Sequence, residues 1–159
     1  MLKKLTIIIL CLCCFLTNTG CERKPKIPQK ITLEETNGQI LNAKDLKRKW
    51  VVFHYWASWC SPCRHETREL NAFYKKIQNK NVIFLGVNYD KLPLDDLKKM
   101  LEENNVDYPN LIQDPAIQLR LGEITQLPST YIFDPQGRLR AHFSGKNTAA
   151  ELEKILVDL

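Results

Sequence analysis

Residues 50 to 63 read Trp50-Val-Val-Phe-His54-Tyr-Trp56-Ala-Ser-Trp59-Cys60-Ser-Pro62-Cys63. The stretch Trp50 to Tyr55 is made of β-formers with no charged residue, so it predicts a central strand buried on both faces. That strand runs straight into the cysteines. Beyond them, Pro62 sits where a first helical turn accepts proline, and Leu70, Phe73, Tyr74 and Ile77 recur at helical spacing. The order is therefore a strand, a pair of thiols two residues apart, and a helix.

Working outward, Val82 to Tyr89 is a second apolar strand, and Leu94 to Glu103 places Leu97, Met100 and Leu101 on one side of a helix. Strand, helix, strand, helix implies an α/β fold with a parallel sheet segment. A short strand near Leu111-Ile112, a helical turn from Pro115 to Leu121, and a strand from Thr130 to Phe133 follow. The turn Pro135-Gln-Gly137, a strand Leu139 to Phe143 and a last helix Ala149 to Leu156 complete the chain. Upstream, Ile31-Thr-Leu33 and Gln39-Ile-Leu41 flank Asn37-Gly38, which is a strong hairpin signal.

The N-terminus begins Met1-Leu-Lys-Lys and continues in an apolar run from Leu5 to Leu16, the charged and short hydrophobic regions of a secretory signal. The run is short for a membrane span. Thr17-Asn-Thr-Gly20-Cys21 follows, resembling a bacterial lipobox in which Cys21 is lipidated, although Asn18 stands where an aliphatic residue is usual. Residues 1–20 thus read as a signal peptide of lipoprotein type, with ordinary cleavage or an uncleaved anchor as the alternatives. Residues 21–30, with Arg23, Lys24, Pro25, Lys26 and Pro28, read as an extended tether, and residues 31–159 as one domain. The place of action is then the periplasm or another extracytoplasmic face.

The 159 residues carry a net charge of +5, with 44% hydrophobic and 26% charged residues. These are globular proportions. The basic residues are interspersed with acids along the sequence, so nothing marks a nucleic-acid partner. Of six cysteines, Cys11, Cys13 and Cys14 fall in the hydrophobic region of the leader and Cys21 at its end, leaving Cys60 and Cys63 for the folded part. Two intervening residues close almost no loop, so a staple there would constrain the unfolded chain little. Reactivity is the better reason for the pair.

A thiol attacks as its thiolate, and a cysteine at a helix N-terminus is stabilised in that form by unpaired N–H groups and the helix dipole. Cys60 takes that position. Cys63, a turn further in and more shielded, suits the resolving role, and Trp59 offers a flat apolar rim. A structural disulfide or half of a zinc site are the competing readings. Zinc needs four ligands, no second Cys-x-x-Cys exists, and His54, His65 and His142 are scattered, so no metal site is assigned.

Trp56-Ala-Ser-Trp-Cys-Ser-Pro-Cys-Arg64 resembles the active site of thioredoxins, particularly the exported TlpA-like and ResA-like branch, with similarity extending from Ile31 to Leu159. The resemblance implies a three-layer α/β/α thioredoxin fold with a mixed central sheet, an N-terminal β-hairpin, and a central α/β insertion from Val87-Asn-Tyr-Asp90 to Asp114. In Leu127-Pro128-Ser-Thr it implies a cis proline facing the dithiol, with the Leu127 backbone pairing a substrate strand. It implies thiol-disulfide exchange through the redox-active Cys60-Cys63 pair without a bound cofactor. Partners would be protein substrates with cysteine pairs, such as cytochrome c precursors, and a membrane thiol reductase as electron donor. The protein is expected to be a monomer held at the membrane through lipidated Cys21 or an uncleaved anchor. The Ser-Pro pair between the cysteines resembles reductive members.

Three positions stay open. His54 stands where thioredoxins carry a buried Asp, and it reads either as a proton relay or, the favoured reading, as a neutral core residue with a satisfied hydrogen bond. Asp90 reads as a solvated loop acid in preference to an active-site carboxylate. His65 is expected in solvent, with a role as third copper ligand beside Cys60 and Cys63 in an alternative copper-chaperone function. A thioredoxin-fold interaction module with an idle motif is the third alternative.

Overall fold

The computed structural model describes residues 24–156. The signal segment 1–20 and the lipidation candidate Cys21 lie outside the described residues. In chain order the elements are β1 (Thr32–Glu34), β2 (Ile40–Asn42), α1 (Ala43–Leu46), β3 (Trp50–Trp56), α2 (Ser61–Ile77), β4 (Val82–Asn88), α3 (Leu94–Glu103), β5 (Asn110–Leu111), α4 (Ala116–Leu119), β6 (Ser129–Phe133), β7 (Leu139–Ser144) and α5 (Ala149–Ile155).

Five strands form one mixed sheet in the order β5-β4-β3-β6-β7. β3, β4 and β5 run parallel, whereas β6 and β7 are antiparallel to their neighbours. β3 is the middle strand, as its uninterrupted apolar run requires, and Val51 to Trp56 are all buried. Because strand side chains alternate, Val51, Phe53 and Tyr55 face one layer and Val52, His54 and Trp56 the other. The first layer packs Leu33 and Leu41 of the hairpin, Leu46 and Leu119 on the sheet. The second packs Leu70, Phe73 and Ile77 of α2 together with Leu152. Among the described residues this is the three-layer thioredoxin-like fold that the sequence predicts.

The hairpin reaches the edge strand β5, where Thr36 N–H donates to Asn110 O and Ile112 N–H to Glu34 O, so the free edge is paired instead of exposed. Its loop is the five residues between Glu34 and Ile40, with Gly38 at φ 86°. One sequence reading needs refinement. The stretch 21–30 read as an extended tether is docked over residues 26–27: Ile27 is buried, its N–H donates to Gly137 O, and Lys26 makes a β-bridge with Arg138. Ile27 is the one aliphatic residue between the prolines Pro25 and Pro28, and burying it fixes the chain against the Pro135–Gly137 turn. Among the described residues no helix is long and apolar enough to cross a membrane.

Candidate active site

β3 ends at Trp56, and the chain turns through Ala57, Ser58 and Trp59 into α2, whose N-cap is Cys60. Pro62 lies in the first turn of that helix, where a missing N–H costs nothing. Cys60 and Cys63 form a disulfide with a Cα–Cα separation of 5.3 Å. Cys60 Sγ also accepts from the Cys63 N–H at 3.3 Å, one of the donors that a helix start leaves without an intrahelical partner. Both sulfurs belong to a cluster with Trp56, Leu97 and Met100, against which Leu127 packs. Trp59 is 65% exposed beside them, so an apolar rim stands at the mouth of an otherwise shielded pair.

Antiparallel register brings the proline to this point. Ser129 pairs with Tyr55 across β3 and β6, so the Leu127-Pro128 segment falls beside the end of β3, and its peptide bond is cis. Leu127 packs against the cluster that holds Cys60 and Cys63, with Pro128 next to it in the chain and Trp59 next to Cys60. His54 sits one layer below, buried between Phe84 and Tyr108. His65 is exposed on α2. Among the described residues no three or more His, Cys, Asp or Glu side chains come together as a metal site.

Asp90 lies half-buried in the loop after β4 and has protein partners as well as solvent. Its carboxylate accepts from Ser58 N–H and Ser58 Oγ, both at 2.8 Å, and from Asn88 Nδ2 at 2.7 Å. Arg64 reaches back to Ser58 O. Asp90 is thus the anchor of the loop that delivers Cys60, and the partner pair is 32 residues apart in sequence.

A second carboxylate escaped the sequence reading altogether. Glu66, fully buried, lies on the inward stripe of α2 with Cys63, Thr67, Leu70, Phe73 and Ile77. Its position three residues after Cys63 puts the two on neighbouring turns of one face. A carboxylate interrupting an apolar helical stripe is the signal that could have found it. Glu66 Oε2 accepts from Asn147 N–H at 3.0 Å, and Glu66 Oε1 faces His54 Nε2 at 3.4 Å. Burial pushes Glu66 up to about 7, with the Asn147 hydrogen bond and Lys146 opposing. Burial also pushes His54 down to about 3, so the imidazole is neutral.

Ionising Glu66 inside the fold is therefore unfavourable. Its raised value means the folded protein binds more protons than the unfolded chain between the ordinary 4.5 and about 7, so stability is full below this window and declines as pH rises through it. In Glu66→Gln that slope should vanish, removing a decline on the order of 1–3 kcal/mol in urea titrations compared across the window. An unchanged slope would mean that Glu66 ionises in the fold as easily as in water.

A Cys-x-x-Cys disulfide at a helix start beside a cis proline, on this sheet, defines the class of thioredoxin-fold dithiol proteins. The chain belongs to the AhpC/TSA family, whose model matches residues 25–142. It is similar to the thiol-disulfide oxidoreductase ResA of Bacillus thuringiensis subsp. konkukian, 25% identical over 77% of this chain and 70% of that one. Among solved structures it is similar to a DsbF homologue from Corynebacterium diphtheriae, with a TM-score of 0.70 and 26% identity over 88% of this chain and 89% of that one. It is also similar to a secreted thiol-disulfide isomerase from Corynebacterium glutamicum, with a TM-score of 0.68 and 25% identity over 82% and 83% of the two chains. Fold, disulfide and relatives together make it a thiol-disulfide oxidoreductase.

Proposed function

We propose that the protein is exported and reduces protein disulfides through Cys60 and Cys63. The observation that carries the reading is the Cys60-Cys63 disulfide at the N-cap of α2, next in the chain to the exposed Trp59. In the reduced protein Cys60 thiolate attacks a substrate disulfide, forming a mixed disulfide and releasing one substrate thiolate. Cys63 then loses its proton and attacks Cys60 Sγ, which frees the second substrate thiolate and leaves the intramolecular disulfide. Two electrons pass to the substrate. Glu66, buried one turn from Cys63 on the same face of α2, is the group to take the Cys63 proton. Leu127 and Pro128 offer backbone for an extended substrate segment, and Trp59 offers apolar contact.

Electrons return from a membrane thiol reductase, and Cys21, lipidated, or an uncleaved N-terminal segment holds the monomeric protein at the extracytoplasmic membrane face. Substrates of this chemistry are exported proteins with cysteine pairs, cytochrome c precursors among them. A redox titration against a thiol buffer tests the direction. The reductive reading expects a midpoint in the thioredoxin range of about −270 mV, and a value near the −120 mV of a strong oxidant would reverse it.

Reduced protein should also show a single low-titrating thiol. Cys60, at the helix start, is expected to alkylate with a midpoint below the roughly 8.5 of a free cysteine, and Cys63 above it because it is buried. Peptide mapping of alkylation against pH reads both sites. Preferential labelling of Cys63 would exchange their roles.

A further inference from the structure

Among the described residues only two buried side-chain polar atoms lack a hydrogen-bond partner, His54 Nε2 and Glu66 Oε1, and they face each other at 3.4 Å. Everything else around them is paired, and the pairing fixes where the hydrogens lie. Gly145 O can only accept, so the Asn147 amide must present Nδ2 to it, at 3.2 Å. The other Nδ2 hydrogen then goes to Thr130 Oγ1 at 3.0 Å. Thr130 accepts there, which leaves its own hydroxyl hydrogen for His54 Nδ1, also at 3.0 Å. With Nδ1 accepting, a neutral His54 carries its hydrogen on Nε2, the ring nitrogen 3.4 Å from Glu66 Oε1. The Asn147 backbone N–H closes the ring on Glu66 Oε2.

In the ionised form Glu66 Oε2 accepts the Asn147 N–H, and Oε1 has the Nε2 hydrogen as its nearest possible donor. On protonation, Oε2 is the better carbonyl oxygen because the backbone N–H it accepts from cannot turn away, and Oε1 is the oxygen without a partner. A proton placed on Oε1 meets the Nε2 hydrogen unless the imidazole changes tautomer.

We propose that His54 is a positioning residue whose ring tautomer follows the protonation of Glu66: Nε2–H when Glu66 is a carboxylate, Nδ1–H when Glu66 Oε1 carries the proton. In the change the pair gains one proton. Oε1 and Nδ1 each gain a hydrogen, Nε2 loses one and becomes the acceptor from Oε1–H, and the Thr130 hydroxyl turns to accept from Nδ1–H. The ring is neutral in both states.

The surroundings bias this equilibrium without reversing it. On α2, Glu69 favours the protonated form of Glu66, and Cys63 lies one turn before it. Lys146, exposed in the loop preceding α5, favours the carboxylate. Tyr108, packed edge-on to His54, is fully buried and its phenol is pushed far up, so it stays neutral. From β4 the uncharged Phe84 stacks on the ring, and Gly86 is the register partner of His54.

The use of the switch rests on the dithiol reading: in the Nε2–H state Glu66 is the carboxylate able to take the Cys63 proton, with the His54 Nε2 hydrogen beside its Oε1. The switch itself rests on hydrogen-bond geometry alone. The test is ¹⁵N spectroscopy of the His54 ring in the full chain across the neutral pH range, since a ring nitrogen that bears hydrogen is told from one that does not by its shift. The expected result is Nε2–H at high pH passing to Nδ1–H at low pH, with a midpoint near 7 that coincides with the carboxyl ¹³C titration of Glu66. In Glu66→Gln the ring should hold one tautomer throughout. A ring hydrogenated on both nitrogens below the midpoint, or one fixed tautomer while the Glu66 carboxyl titrates, would overturn the proposal in wild-type protein, whatever the variant does. Failure of the dithiol reading would look different, as absent disulfide turnover with the tautomer change intact.

Discussion

In Cys63→Ser, mixed disulfides at Cys60 should accumulate and turnover should fall by on the order of a thousandfold or more, because the nucleophile remains while the group that releases it is gone. Cys60 keeps the helix N-terminal position that favours its thiolate, and Trp59 and Leu127 still meet the substrate. A serine hydroxyl at position 63 cannot displace a thiolate from a disulfide. Non-reducing gels of the exported fraction, followed by mass spectrometry, read the adducts and name the partners. Cytochrome c precursors would support a maturation role, a broad set of secreted proteins general reduction, and a membrane thiol reductase would be the electron donor. Adducts on Cys60→Ser with none on Cys63→Ser would make Cys63 the nucleophile.

The largest effect on stability is expected from Gly86→Ala, on the strand next to the one that leads into the cysteines. Gly86 pairs with His54 on one side and with Asn110 on the other. A Cβ built there would lie 2.3 Å from Asn110 Oδ1 and 2.7 Å from its Cγ. Asn110 cannot swing aside freely. Its Oδ1 accepts the indole Nε1–H of Trp56 at 2.8 Å, its Nδ2 donates to Tyr108 O at 3.0 Å, and it is fully buried. Alanine therefore combines overpacking with loss of the hydrogen bond to the tryptophan that floors the Cys60-Cys63 cluster. The cost should be about 3 kcal/mol, within the range for overpacked cores with a stranded polar group. A chain of this size would then melt roughly 6–12 °C lower. Gly86→Ala with Asn110→Ala should recover part of the loss, because the clash is gone even though Trp56 Nε1 is left without its partner. A melting temperature within about 2 °C of wild type in the single variant would mean that Asn110 yields more easily than its two hydrogen bonds suggest.

The fold was legible because its decisive signals are local. Trp50 to Tyr55 reads as a buried strand from six consecutive residues, and Pro62 with Leu70, Phe73 and Ile77 reads as a helix from spacing alone. The parallel core followed from alternation, and strand ends came within a residue or two. The short helix α1 gave no periodic signal in four residues, and the docking of Ile27 depended on a turn more than a hundred residues away. The site divides the same way. Cys60, Cys63 and Pro128 stand in motifs, whereas the roles of Asp90, Glu66 and Asn147 depend on partners 32 and 81 residues distant. His54 was visible as a departure from a pattern, but its meaning required Glu66, which sequence spacing offered only as a polar gap in an apolar stripe.

Catalysed turnover of a disulfide substrate is the most direct test of the central claim. With insulin or a disulfide-bonded model peptide and a small dithiol as electron source, wild-type protein at catalytic concentration should accelerate reduction well beyond the dithiol alone. Cys60→Ser and Cys63→Ser should each return the rate to the background. A wild-type rate equal to the background, from protein whose Cys60-Cys63 disulfide opens and closes normally in the same buffer, would contradict the account.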